Sequence, residues 1–479
     1  MVGYEINSKE SDGLGTTISN FARWDKPEVN NGVVYQSMGG SNSTTRIVSY
    51  ITRANYDYDN KYYLGASWRT DGSSRLAREN RWGNFWSLSG AWRVSSESFM
   101  KPLQNWLSDL KLRVSYGVNG TLPSSYYGYM GLSSLTSNYN DNPGITQSQL
   151  ENKELTWETN YNFNSGIDLG FFDNRLNVTF EYYVRTTKNL LYSRPLSLAT
   201  GFSSYLANIG KLQNKGYELE IRSTNIETKD FRWSTSLNLG HNANKILKLD
   251  GDLKQVTSGT SIHKVGLPYS TYYMIEFAGI DPVDGEPMFY KNTTDENGNL
   301  NKETTKDPRS AEKVILQCAD PTITGGLGNS ISYKWFDLNF NVNFSFGAWN
   351  YDGAAGKLEH GGDGTLNIPI YYRKRWQKEG DETSIERFVV GRSISMTDYA
   401  NPRRLYSGDY VRLKNLTFGF TLPKTWTRKV GIDNIRLYAS GNNLLTWAAY
   451  DYIDPESGSS PSWDTPPMRT YTFGLEVKF

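Results

Sequence analysis

From Phe336 to Phe346 the side chains alternate without a break. Phe336, Leu338, Phe340, Val342, Phe344 and Phe346 fall on one parity, and Asp337, Asn339, Asn341, Asn343 and Ser345 on the other. A strand projects successive side chains to opposite faces, so this stretch predicts one apolar and one polar face. The chain closes in the same way: Tyr471, Phe473, Leu475, Val477 and Phe479 alternate with Thr472, Gly474, Glu476 and Lys478. Chain ends usually fray and turn polar. A closing strand that ends on an aromatic residue fits a barrel strand with its apolar residues toward lipid and Phe479 at the periplasmic rim.

The same rhythm runs back through the chain. Tyr62, Leu64, Ala66 and Trp68 carry it, as do Leu110, Leu112, Val114, Tyr116 and Val118. So do Leu176, Val178, Phe180, Tyr182 and Val184, then Tyr217, Leu219 and Ile221, and then Phe231, Trp233, Thr235, Leu237 and Leu239. About thirteen segments of roughly ten residues read as strands between Val48 and Phe479. Near Asn415 the parity slips: Val411 and Leu413 take one side, and Leu416, Phe418 and Phe420 the other. A β-bulge would reconcile them. Residues 1–47, rich in Gly, Asn, Ser and Thr, predict an irregular, loop-like start before a barrel over 48–479.

Connections alternate in length. Short ones fall at 58–60, 171–174, 226–230 and 333–335, and long ones at 119–153, 189–210, 244–321, 347–407 and 443–467. The turn-side stretch 95–109 is longer, with a helical turn expected within it. Short periplasmic turns and long extracellular loops are the pattern of an outer-membrane barrel. The expected fold is therefore all-β, a transmembrane antiparallel β-barrel. A propeller would show a repeat period, and none is present.

Composition agrees. No run of 18–20 apolar residues exists, so no transmembrane helix is predicted, but alternation dilutes hydropathy in a barrel. The 33 Tyr, 20 Phe and 14 Trp suit interfacial girdles, to which Trp68, Trp86, Trp92, Trp233 and Trp335 are assigned. A net charge of +1 gives no field for nucleic acid, and the single Cys318 rules out an intramolecular disulfide framework. Met1 is followed by Val-Gly-Tyr-Glu-Ile, with neither a basic nor an apolar leader region. An exported protein needs one, so either the barrel reading is wrong or the chain lacks its own beginning.

Several stretches carry recognisable wording. Residues 63–75 read Tyr-Leu-Gly-Ala-Ser-Trp-Arg-Thr-Asp-Gly-Ser-Ser-Arg, and this resembles the R-x-D-G-S-S segment of SusC/RagA-like TonB-dependent outer-membrane transporters. Further likenesses follow in family order: 85–99, 110–120, 154–170 with Thr156-Trp157-Glu158, 174–191, and 208–220 with its Asn-x-Gly and Lys-Gly-Tyr-Glu. Residues 280–285, 410–423, 441–445, Asp454-Pro455-Glu456 and 469–479 complete them. The resemblance implies import of oligomeric nutrients, glycans more than peptides, by Bacteroidota. It implies a barrel of about 22 strands occluded by a plug, of which this chain would supply the last thirteen or fourteen. It also implies a SusD-like surface lipoprotein as lid, and TonB acting through a plug and TonB box that have no counterpart in this chain. The aromatic terminus resembles the family's signal for barrel insertion. A passive porin-like barrel, an inactive fragment and a soluble carbohydrate-binding β protein are the alternatives.

No catalytic constellation, cofactor motif or metal-ligand spacing is present. His241, His263 and His360 are scattered, and no nucleophile elbow or Walker loop occurs. Asp281-Pro-Val-Asp284-Gly285-Glu286 reads as an acidic turn rather than a Ca²⁺ site, and so does 295–299. The basic run Arg373-Lys374-Arg375 reads as a solvated face. Ligand contact is assigned to aromatic residues of the long loops, because sugar CH faces pack on rings: Trp349, Tyr351, Tyr371, Tyr372, Trp376 and Trp463.

Overall fold

The computed structural model describes residues 1–479 apart from 24, 141, 250–252, 296–297, 363–366, 392–401, 451–452 and 458–464. Strand accounts for 60% of it. One sheet contains fourteen described strands. They are β1 (Val2–Phe21), β2 (Gly32–Tyr58), β3 (Tyr62–Ser73), β4 (Trp82–Arg93), β5 (Leu107–Thr121), β6 (Glu158–Phe171) and β7 (Leu176–Lys188). The series continues with β8 (Lys211–Glu227), β9 (Phe231–Lys248), β10 (Ile323–Tyr333), β11 (Phe336–Phe346), β12 (Tyr410–Thr421), β13 (Asn434–Ala448) and β14 (Thr470–Lys478). Each neighbours the next in chain order, with β1 and β14 at the edges. No described helix is long and apolar enough to cross a membrane.

Two corrections concern the start of the chain and β5. Residues 1–47, expected to be irregular, form β1 and the first half of β2, paired from Val2 opposite Thr52 to Phe21 opposite Gly32. A membrane crossing takes only about ten residues. β1 and β2 run to 20 and 27, and the part beyond the crossing needs no apolar face. Val118, expected on the apolar face of β5, is instead buried in a core cluster.

The chain divides into two compact units. The first holds Met1–Trp92, Arg113–Asn164 and Arg185–Leu212. Its core joins Leu76, Phe85, Val118, Leu155 and Trp157, with Phe85 edge-on to Trp157 at 5.2 Å. The recognised motifs act here as structural locks. Asn208 accepts the Thr156 N–H at 2.8 Å and donates to the Thr156 carbonyl at 2.9 Å. Glu158 accepts the Leu191 N–H at 3.1 Å. Arg69 bonds Asp71 at 2.6 Å, while Arg75 donates to the Pro123 carbonyl and covers the Tyr126 ring.

The second unit holds Arg93–Leu112, Ser165–Val184 and Gln213–Phe479. Its register aligns like with like across the strands. Leu237, Leu327, Val342, Leu413 and Leu445 stand in one row. Ser234, Ser330, Asn339, Thr417, Ser440 and Thr472 form another on the opposite face. The expected bulge is present: Asn341 faces Asn415 and Val342 faces Leu413, which leaves Lys414 out of register. Lys334 adopts a positive φ in the tight turn between β10 and β11. The Lys-Gly-Tyr-Glu motif needs its glycine, because a Cβ at Gly216 would strike the His241 carbonyl and the Tyr183 ring. Between β4 and β5 the helical turn is a 3-10 segment, Ser98–Leu103.

Candidate functional site: the loop assembly of the second unit

Three long connections in the second unit fold against one another. The β9–β10 connection contributes the short strands Thr271–Ile275, Phe277–Ile280 and Lys313–Cys318. The β11–β12 connection contributes Trp349–Tyr351, the helix α1 (Gly353–Leu358), the 3-10 turn Ile370–Lys374 and the strand Leu405–Ser407. Their apolar side chains make a small core of Tyr272, Met274 and Leu405, with Trp349 and Tyr351 packed against it.

Charge organises the rest. Arg403 binds two carboxylates, Glu359 at 2.6 Å and Glu386 at 2.5 Å. Arg404 joins Glu359 at 2.8 Å. Glu386 is 0% exposed, and Arg403 and the Tyr372 hydroxyl satisfy its two oxygens. The Tyr371 hydroxyl donates to Glu359 and the Tyr372 hydroxyl to Glu386, both at 2.5 Å. Burial pushes the Glu359 carboxyl up, but Arg403 and Arg404 outweigh it and hold the group below its ordinary range. Burial, reinforced by the adjacent carboxylates, drives the Tyr371 and Tyr372 hydroxyls well above theirs.

The third connection is tied in by two clasps. Tyr450 donates to Asp352 at 3.1 Å and stacks on Tyr406 at 3.8 Å, and Asp352 also accepts the Ala355 N–H at the start of α1. On β12 the buried Arg412 binds Asp454 at 2.6 Å and Glu456 at 2.7 Å. The bulged Lys414 reaches Glu456 at 2.6 Å. A bidentate guanidinium on a rigid strand fixes both acids of the Asp-Pro-Glu motif, so this loop is held at its root.

The predicted aromatics meet here with differing fates. Tyr372 is 1% exposed and serves the framework; it offers no surface to a ligand. Trp349 and Tyr351 lie half-buried against the loop core, and Tyr371 is half-buried beside Glu359. Trp376 is half-buried, with its indole N–H on the Pro282 carbonyl at 3.0 Å. Its ring occupies the space a side chain at Gly285 would need. Trp463 lies outside the described residues. The acidic turn is matched by bases: Lys306 bonds Asp281 at 2.6 Å and Asp284 at 2.8 Å, and Arg387 takes Glu286 at 2.7 Å. Lys306 holds both aspartates below their ordinary range. Sequence reasoning overlooked Arg403, Arg404, Glu359, Glu386 and Arg412. Only the Asp-Pro-Glu string signalled any of this, and it carried no role until its arginine was seen.

Below the loops, the polar face of β7–β11 encloses a groove of about 580 Å³ lined by Glu181, Glu218, Glu220, Asn238 and Asn343 among others. Gly326 leaves room there for the carboxamides of Asn238 and Asn343 to lean over the sheet.

Comparison with known proteins agrees with this architecture. The family profile described as "TonB dependent receptor-like, beta-barrel" matches residues 3–444. TonB-dependent receptor P3 of Formosa agariphila is 33% identical over 518 residues, covering 100% of this chain and 50% of that protein. TonB-dependent receptor SusC of Bacteroides thetaiotaomicron is 30% identical, covering 90% of this chain and 44% of that protein. This chain therefore spans about half the length of these curated relatives. The solved RagAB peptide transporter superposes with a TM-score of 0.85 at 29% identity, covering 100% of this chain and 53% of that one. These likenesses displace the soluble alternative and place the protein in the outer membrane. The chain belongs to the TonB-dependent receptor-like β-barrel family.

Proposed function

We propose that the chain forms barrel wall and loop cap in a TonB-driven importer of oligomeric nutrients, glycans in preference to peptides. A SusD-like surface lipoprotein would close over the loops, and TonB would act through a plug and TonB box of the kind the family carries. The apolar rows, including Tyr471, Phe473, Leu475, Val477 and Phe479, would face lipid, and the polar rows the passage.

One observation carries the substrate class: a row of neutral amides and hydroxyls crosses the polar face of β10–β14, a face on which Asp337 is neutralised by Arg436. Ser330, Asn339, Thr417, Ser440 and Thr472 stand in one row across five strands. Such groups both donate and accept, as sugar hydroxyls require. A peptide would bring charged termini and side chains that ask for opposite charges. The peptide reading keeps its own support in the similarity to the RagAB peptide transporter and in Glu181, Glu218 and Glu220 of the groove. Of the loop aromatics, Trp349, Tyr351, Tyr371 and Trp376 keep open surface for ligand contact; Trp463 is carried forward from sequence alone.

The test is uptake of fluorescent oligosaccharides and oligopeptides by cells with and without this gene, each in the presence and absence of TonB. Gene- and TonB-dependent oligosaccharide uptake is expected. Peptide uptake alone would transfer the assignment to the second class, and uptake indifferent to TonB would leave a passive pore.

A further inference from the structure

The apolar face of the first unit is not uniformly convex. Between β2 and β5 it holds a groove of about 590 Å³ whose floor is Ala54, Ala66 and Gly90 and whose walls include Leu64, Val114 and Tyr116. Ala54 pairs with Ala66 and Leu64 with Gly90, so three small residues on neighbouring strands create the depression. The volume lies within the range of about 300–1,000 Å³ typical of small-molecule sites.

Its position selects the occupant. On the turn side, Tyr58, Tyr62 and Trp92 stand in register, with Tyr62 and Trp92 stacked at 6.3 Å. On the loop side Trp68 pairs directly with Trp86. Six residues of strand separate Tyr62 from Trp68, roughly 20 Å at about 3.3 Å per residue. Aromatic rows bound the hydrocarbon band of an outer-membrane barrel, which is about 25 Å tall. The groove therefore lies at acyl-chain depth. An apolar recess of this kind stays dry, and left empty its lining loses contact atoms on one side. A second copy of the chain would present a pleated sheet face, which cannot enter a slot floored by alanine and glycine. A single flexible hydrocarbon chain can.

We infer that the groove over Ala54, Ala66 and Gly90 is a binding site for one acyl chain of a membrane phospholipid, held along the strands between the two aromatic rows. The bound chain fills the recess between β2 and β5 and exchanges slowly with bulk lipid.

Filling variants test this. The nearest atoms to a Cβ at Gly90 would be in the Leu64 and Val114 side chains and the Tyr63 carbonyl, at 3.8–4.0 Å, so Gly90→Leu can be accommodated by the backbone. Ala66→Leu fills the same groove from β3, and Leu437→Phe on β13 is the control. Full-length protein, checked for the heat-modifiable folded band, is reconstituted in phosphatidylethanolamine–phosphatidylglycerol vesicles containing chain-labelled spin-probe phosphatidylethanolamine. The wild type and Leu437→Phe should show about one more motionally restricted lipid per protein than Gly90→Leu, and likewise than Ala66→Leu, above the boundary lipid common to all four. If either filling variant proves misfolded, the other decides. A restricted fraction equal in all proteins, or absent from the wild type, overturns the inference. So does a wild-type dimer that either filling variant converts to monomer.

Discussion

Arg403 is where the charges of the loop assembly converge. It is the partner of two carboxylates drawn from segments 27 residues apart, Glu359 and Glu386, and its side chain is only 10% exposed. Replacing it with leucine keeps bulk but strands Glu386 without its cation, a loss of about 3–5 kcal/mol for a buried pair broken on one side. Arg403→Leu should therefore open the β11–β12 connection to protease while the sheet keeps its heat-modifiable band; cleavage at the wild-type rate would refute the assignment. The same cluster sets a pH response. Glu359 has an ordinary value of 4.5, and Arg403 and Arg404 hold it lower in the folded loops. An unfolded loop thus takes up the proton at a higher pH than the folded one. The pairing's contribution is complete above the ordinary value and disappears as pH falls through the lowered one. Asp281 and Asp284 beside Lys306 shift in the same direction. Protection of the amides across 352–359 and 370–376, relative to the intrinsic exchange rate at each pH, should be high at neutral pH and fall below about pH 4; a loss of protection toward alkaline pH instead would contradict this origin.

At the scale of elements, β11 shows why much of this fold can be read from sequence. Its predicted limits, Phe336 and Phe346, are those observed, because lipid on one face and water on the other force strict alternation. The bulge at Lys414 was legible for the same reason: a slipped parity between two fixed environments has few other solutions. β1 was illegible where that constraint lapses, since Lys9–Thr17 opposite Ser37–Thr45 has both faces in polar company. The candidate site was legible in composition but not in geometry. Aromatic loops mark a cap, yet nothing local tells Tyr372, bound to a buried Glu386, from Trp376. Pairings across 98 residues, such as Tyr450 with Asp352, leave no periodic trace. The faces themselves invite a paired test. Val342→Arg places a cation in the apolar row and should cost about 2–4 kcal/mol near the bilayer midplane, lowering the yield of folded protein in outer membranes. Asn341→Lys, one residue away on the polar face, should assemble at the wild-type level. Equal yields would mean that the two faces are not divided between lipid and water.

At the scale of the whole molecule, the decisive feature is a sheet with two edges. β14 pairs with β13 along Asn434–Asn442 and has no described partner on its other side, and β1 stands likewise beyond β2. In hydrocarbon each unpaired backbone group costs several kcal/mol, which is why spanning sheets close. Tyr471, Phe473 and Leu475 nevertheless keep the apolar parity of a strand made for lipid. A charged or proline-broken edge would be expected if these strands were meant to remain exposed. The two edges are therefore expected to be paired in the native outer membrane. Amide exchange distinguishes the cases, because a strand bonded on both sides protects every amide and an edge strand protects alternate ones. In protein taken from native membranes, consecutive amides of β1 and β14 should be protected as well as those of β10 and β11. Fast exchange at every second amide of β14 would show an open edge, and with it a sheet that does not close in the membrane.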